Sequence, residues 1–357
     1  MHDRDSLLLH WARRISGDAS LQLTLISGDA SFRRYHRGGG LIWVDANPKT
    51  EKNHEFVRNA SALNAGGLLA PEVRAVDYEQ GLLAVTDLGD TQLIGCLNDD
   101  NVLAWYGKAI ALLPRLGAVE LDLEPFDSAF MARENSIFPE WLLGHHLQLT
   151  LSDEEQQLLA ETFACLTENN LAQPQGVMHR DFHSRNLMVC GGETPADSRL
   201  AVIDFQDMVI GPLSYDLVSL LKDCYVRWPD TVIEQGMRLG FDTLQQAKLL
   251  GELDYAAFRR AADLTGMQRH LKAAGIGTPV VSIFRHLPGA KVELADAGCC
   301  GMSGNYGFKK DKYEISMKIG EKLFSRIKAA KADDVICDCP TCRMQIKHGT
   351  QTEPCHP

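Results

Sequence analysis

Two polar anchors set at strand boundaries restrict this chain more than any other feature. His179-Arg180-Asp181-Phe182-His183-Ser184-Arg185-Asn186 runs straight into the apolar strand Leu187-Met188-Val189, and a second apolar strand, Leu200-Ala201-Val202-Ile203, delivers Asp204 at its end. The surrounding text has apolar residues at three- and four-residue spacing over 101–116, 137–147 and 152–168, which predicts helices, with Ser152 and Glu155 as a capping box. The region is therefore mainly helical, interrupted by the loop and short strands that hold the anchors. Ahead of it, residues 21–26, 32–37 and 41–46 read as strands, with Gly28-Asp29 and Gly38-Gly39-Gly40 as turns. A polar helix over 52–65 follows, then strands over 73–77 and 82–86 around the turn Glu79-Gln80-Gly81. The expectation is an α+β chain with a small antiparallel sheet lobe and a larger, mainly α lobe.

The anchors carry a specific chemistry. Phosphoryl transfer needs charge neutralised on the phosphates, an in-line hydroxyl and a carboxylate to accept that hydroxyl's proton. The H-R-D-x-x-x-x-N spacing makes Asp181 the base and Asn186 a metal ligand, and Asp204 at a strand end can bind Mg²⁺. Asp and Asn also favour turns, so either motif alone leaves a structural reading open. The combination, followed by Gly211-Pro212 and Tyr215-Asp216-Leu217, favours the catalytic one. His179 reads as a loop support, and Asp216 as a residue tying the loop down by hydrogen bonds. Arg180 and His183 remain unassigned.

At 357 residues the chain is too long for one ordinary core. A net charge of -11 disfavours a nucleic-acid partner. No run is apolar or long enough to span a bilayer, and the start lacks the pattern of a secretory signal, so the reading is a cytoplasmic protein. Cys299, Cys300, Cys337, Cys339, Cys342 and Cys355 crowd the tail. In reducing cytosol such crowding points to metal before disulfide.

With these words in view, residues 1–276 resemble the aminoglycoside phosphotransferase family, in its branch of cell-wall amino-sugar kinases acting on N-acetylmuramate and N-acetylglucosamine. The supporting strings are Gly28-Asp29-Ala30-Ser31-Phe32-Arg33-Arg34-Tyr35, Thr86-Asp87-Leu88-Gly89-Asp90, the two anchors, and Gly266-Met267-Gln268-Arg269-His270-Leu271. The resemblance implies a protein-kinase-like bilobal fold using ATP and Mg²⁺, with the phosphate going to the anomeric hydroxyl of a small-molecule sugar. It implies Gly28, Ser31, Phe32 and Arg33 over the ATP phosphates, and Thr86, Asp87 and Leu88 at an adenine-binding hinge. Arg133, Glu134 and Trp141 are candidate sugar contacts; a surface ion pair and a core Trp are the competing reading. The third strand, Leu41-Ile42-Trp43-Val44-Asp45-Ala46, lacks the kinase lysine; Asp45 is expected at its place, with Arg33, Arg34 or Lys49 as substitutes.

From about residue 277 the text changes. Asp296-Ala297-Gly298-Cys299-Cys300-Gly301 and Cys337-Asp338-Cys339-Pro340-Thr341-Cys342 resemble the cysteine-rich CCG domain found in the iron–sulfur electron-transfer component of anaerobic glycerol-3-phosphate dehydrogenase. The resemblance implies a cluster held by such cysteines, but Arg269 stands where the family's upstream cysteine is expected. Zn²⁺ on Cys299, Cys300, Cys339 and Cys342, or reduced cysteines without metal, are the other readings. A helix is expected over 313–330 and a buried strand over 334–337. Three parts follow: a nucleotide-binding lobe over 1–88, a catalytic lobe over 89–276 and a cysteine-rich fragment over 277–357, joined near His270-Leu271-Lys272 as a fusion. The alternatives are an iron–sulfur electron-transfer protein with the kinase as its passenger, and an inactive pseudokinase.

Overall fold

The computed structural model describes residues 3–26, 33–223, 225–276, 313–332, 335 and 340–352. Helix α1 (Asp3–Ser16) precedes strands β1 (Thr24–Leu25), β2 (Arg34–Gly38) and β3 (Leu41–Asp45); helix α2 (Asn53–Ala65) leads to β4 (Val73–Asp77) and β5 (Leu82–Thr86). The strands form one antiparallel sheet in the order β1-β2-β3-β5-β4. Gly39 and Gly40, at φ 61° and 75°, close the β2–β3 hairpin, the pair of left-handed residues that a tight two-residue turn of matching twist demands. The strand expected over 21–26 contracts to Thr24–Leu25.

Alternation along the strands divides the sheet into two faces. Trp43, Leu82 and Ala84 pack with Leu8, Trp11 and Ala12 of α1, and the indoles of Trp11 and Trp43 meet edge to face at 5.7 Å. Ile42, Val44, Ala46, Leu83 and Val85 point the other way, into the main core with Phe56, Leu63, Leu187, Val202 and Phe205. Burying these side chains supplies the main driving force, about 1.5–3 kcal/mol for each large one.

After a 3-10 turn (Leu93–Cys96) the chain is mostly helical, with α3 (Val102–Ile110), α4 (Leu113–Gly117), α5 (Ser128–Ile137), a π-helix (Phe138–His146) and α6 (Asp153–Ala172). The single helix expected over 101–116 is broken because Pro114 cannot donate to the carbonyl four residues back. The helix expected over 137–147 is wound wider, closing with Leu147 N–H on the Leu142 carbonyl at 2.8 Å. The capping box forms: Ser152 N–H donates to Glu155 Oε2 at 2.8 Å, and Glu155 N–H to Ser152 Oγ at 3.3 Å.

Two two-stranded sheets then interrupt the helices. β6 (Gln175–Met178) pairs with β9 (Val209–Pro212), and β7 (Leu187–Gly191) with β8 (Ser198–Val202), all antiparallel. Helices α7 (Ser214–Leu221), α8 (Asp230–Gln246), α9 (Tyr255–Ile276), α10 (Tyr313–Ala330) and α11 (Pro340–Thr350) complete the elements described.

The contacts divide the chain into two units, one of Met1–Met131 with Ala164–Met267, the other of Ala132–Phe163 with Gln268–Pro357. In the second unit Leu323, Phe324, Ile327 and Ile346 form a small core, against which Val335 and Cys342 pack. The expected strand over 334–337 lies outside the described residues except for Val335. Among the described residues, no helix is long and apolar enough to cross a membrane.

Candidate active site

The β7–β8 register joins the two anchors. Leu187 pairs with Val202, and the next residues outward are Asn186 and Ile203, whose N–H donates to the Asn186 carbonyl at 3.1 Å. Asp204 follows in the left-handed region at φ 65°. Its carboxylate accepts from Asn186 Nδ2 at 3.4 Å and from Gln206 Nε2 at 2.7 Å. Asn186 Nδ2 also donates to the Asp181 carbonyl at 3.0 Å. Asp181, Asn186 and Asp204 thus converge, with the Asp181 and Asp204 side chains exposed.

A buried frame holds this loop. Asp216, on α7, accepts from the His179 and Arg180 N–H groups at 2.6 and 3.0 Å. Burial pushes the Asp216 carboxyl up to about 6, and the His179 and Arg180 contacts only partly offset it. The His179 ring bridges both anchors: Nδ1 accepts from Asp181 N–H at 3.3 Å and Nε2 meets the Ile203 carbonyl at 3.0 Å. These partners select the neutral tautomer with its proton on Nε2. Arg180 sits at φ 77°, a conformation that costs a side-chain-bearing residue about 1–2 kcal/mol. Its guanidinium lies 5.0 Å over the Phe130 ring and donates to the Asp207 carbonyl at 3.3 Å.

Of the expected nucleotide contacts, Gly28, Ser31 and Phe32 lie outside the described residues. Thr86 ends β5, its Oγ1 accepting from Glu72 N–H at 2.9 Å. Asp87 is gripped by Arg37 and by Gly89 N–H; the Arg37 bond chiefly holds its carboxyl below the usual range. The Leu88 carbonyl meets Cys190 Sγ at 3.5 Å. Arg33 is 4% exposed, with Nε 2.9 Å from Glu51 Oε2 and its guanidinium 5.0 Å over Phe56. Phe56 stacks at 5.0 Å on Phe205, whose carbonyl accepts from Asn59 Nδ2 at 2.9 Å. Tyr35 lies within the field of Arg33, Glu51 and Asp204; burial raises its phenol pKa, Arg33 opposing and Asp204 adding.

The expectation for Asp45 needs correction. Trp43 and Asp45 share a strand face by alternation, and that face meets α1. Asp45 is bonded there by Arg4, and Arg34 Nη2 reaches it at 2.5 Å while Arg34 Nη1 reaches Asp5 at 2.5 Å. Burial alone would raise the Asp45 carboxyl; the two arginines reverse this and hold it low. Asp45 is paired with Arg34, one step along the strand from the core-facing Val44 opposite Tyr35, and so lies on the other face from the main core. Glu51, which pairs with Arg33, and Asn59, which bonds the Phe205 carbonyl, had no place among the expected site residues.

Arg133, Glu134 and Trp141 fall in the second unit. Arg133 is exposed. Glu134 is 5% exposed, not on the surface, and is bonded by Lys272 at 2.5 Å. Trp141 is 53% exposed, tilted against His145 at 4.9 Å, rather than core. Cys299, Cys300 and Cys339 lie outside the described residues; Cys342 is half-buried on α11. Among the described residues no group of three or more His, Cys, Asp or Glu is placed to hold a metal ion.

Residues 22–250 match the model of the phosphotransferase enzyme family. The chain belongs to this family. Among curated relatives, the N-acetylmuramate/N-acetylglucosamine kinase of Pseudomonas putida is 37% identical over 260 residues, covering 71% of this chain and 75% of that protein. The protein of the same name from Neisseria meningitidis is 32% identical, covering 76% and 83%. Among solved structures, an ADP-bound aminoglycoside phosphotransferase has a TM-score of 0.51 at 13% identity, covering 75% of this chain and 99% of its own. A choline/ethanolamine kinase family protein from Mesorhizobium loti has a TM-score of 0.54 at 14% identity, covering 98% and 99%. The fold of this phosphotransferase is accordingly the protein-kinase-like one, and its enzyme class is the small-molecule kinases. Residues 280–347 match a cysteine-rich CCG domain. That tail is 39% identical over 88 residues to one component of the anaerobic glycerol-3-phosphate dehydrogenase of Escherichia coli, but covers only 22% of it.

Proposed function

We propose that this phosphotransferase transfers the γ-phosphoryl group of ATP to the anomeric hydroxyl of an N-acetylated amino sugar, N-acetylmuramate or N-acetylglucosamine, in the cytoplasm. The observation that carries the reading is the convergence of Asp181, Asn186 and Asp204 on one exposed face, in a chain whose curated relatives bear that name. Asp181 is the base. It takes the proton of the sugar hydroxyl as that oxygen bonds to phosphorus and the bond from phosphorus to the ADP oxygen breaks. His179 and Asp216 keep the loop's main chain in place, so Asp181 meets the hydroxyl without first losing entropy to ordering.

Asp204 and Asn186 offer oxygen donors suited to a hard divalent cation. The Asp181 carbonyl and the Asp204 carboxylate select the Asn186 amide nitrogen; a cation bound beside Asp204 would favour the amide turned over, with its oxygen toward the ion. Mg²⁺ held there would neutralise charge on the phosphates. The reading divides the chain into a nucleotide lobe over 1–88, a catalytic lobe over 89–276 and a cysteine-rich fragment over 277–357. Thr86, Asp87 and Leu88 are the adenine hinge, with contact through main-chain groups since Thr86 and Asp87 already use their side chains.

The test is ATP consumption with N-acetylmuramate, N-acetylglucosamine and an aminoglycoside, for wild type and Asp181→Ala. Turnover is expected with an amino sugar and should drop about 10²- to 10⁴-fold in the variant. Absence of sugar-dependent ADP release from the wild type would overturn the proposal.

A further inference from the structure

Two arginines stand on the loop between His179 and Asn186, and the structure uses them differently. Arg180, at the base of the loop, lies over Phe130 and donates to the Asp207 carbonyl. Arg185 comes at the other end, one residue before Asn186, and its guanidinium lies 4.7 Å over the Tyr225 ring. The loop turns tightly there, Asn186 N–H donating to the His183 carbonyl at 2.9 Å. Since the Asn186 side chain bonds the Asp181 carbonyl, Arg185 flanks the base across a single turn of chain. Phosphoryl transfer as set out above gives it no task.

The stack is built into the fold. Asp223, 8% exposed, accepts from Ser184 Oγ at 3.2 Å with one oxygen and from the Tyr225 and Val226 N–H groups, each at 2.9 Å, with the other. One buried carboxylate thus joins the residue before Arg185 to the main chain of Tyr225. The His183 ring meets Tyr225 edge to face at 5.1 Å. Beyond it, Trp228 Nε1 donates to the buried Tyr106 hydroxyl of α3 at 2.9 Å, anchoring the segment that carries Tyr225. The outer side of this assembly is open: Arg185 is half-buried and Tyr225 exposed.

Stacking engages the face of a guanidinium, while its N–H groups point outward in the plane as a fork matched to a carboxylate. The exposed Asp181 and Asp204 carboxylates, in a chain of net charge -11, repel an anionic acceptor unless a cation stands beside them. N-acetylmuramate is such an acceptor, since it differs from N-acetylglucosamine by a lactyl ether that ends in a carboxylate. We infer that Arg185, stacked on Tyr225, is a specificity-determining residue that binds the lactyl carboxylate of N-acetylmuramate beside Asp181, with Asp223 as the positioning residue that holds the pair together. The inference rests on the amino-sugar reading above and deepens it.

Steady-state kinetics of the full chain with both sugars tests it, for wild type, Arg185→Gln and Arg185→Lys. In Arg185→Gln the ratio of kcat/KM for N-acetylmuramate to that for N-acetylglucosamine is expected to fall about ten- to a hundredfold, through KM for N-acetylmuramate. Arg185→Lys, which keeps the charge without the fork, should lose less. A ratio unchanged in Arg185→Gln overturns the inference, and so does a parallel loss with both sugars, which would assign Arg185 to the loop or to ATP. The uncharged carboxamide of N-acetylmuramate makes the same comparison without substitution: wild type is expected to use it about tenfold or more less well than the acid. Equal use of acid and carboxamide overturns the inference even where Arg185→Gln does not fold. A wild type that phosphorylates N-acetylglucosamine alone overturns it and leaves the kinase reading standing, whereas a wild type that phosphorylates neither sugar removes both.

Discussion

Asp216 shows how one buried carboxylate can govern an exposed one. It never reaches the exposed face of the site, yet its two oxygens hold the N–H groups of His179 and Arg180 at the base of the Asp181 loop. Its folded pKa of about 6 lies above the 3.8 of an ordinary aspartate, so the folded protein holds this proton more tightly than the unfolded chain. That contribution is complete below pH 3.8 and is lost as the pH rises through about 6. Asp216→Asn removes it. Urea unfolding should show the wild type losing stability relative to the variant by on the order of 3 kcal/mol between about pH 4 and pH 7. Parallel pH profiles for the two proteins would defeat the assignment. The Arg180 backbone, strained at φ 77°, is kept in place by the same two bonds and by the contact of its side chain with Phe130.

At the scale of elements, the turn between β4 and β5 is set by Gly81. Its φ is +67°, and a Cβ built on it would lie 2.0 Å from the Ala46 carbonyl oxygen, in backbone that has nowhere to move. The Gly81 carbonyl meanwhile accepts from Ala46 N–H at 2.8 Å. Gly81→Ala should cost about 2 kcal/mol or more and lower the melting temperature by about 4–8 °C. An unchanged calorimetric transition would show the turn to be pliable. Strand parity matters as much as turn chemistry here: β2 and β3 turn Arg34 and Asp45 toward α1, and Tyr35 and Val44 toward the main core. A slip of one residue would exchange the two pairs and turn a carboxylate into the main core.

Across the whole molecule, two family matches divide the chain, over 22–250 and 280–347. The proposed catalytic and metal-binding residues all precede the second match. Replacing Cys299, Cys300, Cys339 and Cys342 together by serine should therefore leave sugar-dependent turnover within about twofold, the tolerance of independent sites. A larger fall in the ATP-consumption assay would show that the tail supports the catalytic lobe. The periodicity and the polar strings were enough to read the sheet lobe, the α2, β4 and β5 segments, the α10 helix and the strand ends at which Asp181, Asn186 and Asp204 come together. Each is a local pattern: alternation, a cap or a spacing along a few residues. The break at Pro114 was also local, but the apolar spacing running through it outweighed the missing donor in the reading of a single helix. Other features depend on residues far apart in the chain. Glu134 finds Lys272 across more than a hundred residues, Asp216 reaches back to His179, and Asn59 of α2 meets Phe205. The face on which Asp45 and Arg34 sit follows from pleat and pairing once α1 covers one side of the sheet. Spacing along the chain tells which residues are present for phosphoryl transfer; only the packing of the sheet between α1 and the main core decides which side each charge faces.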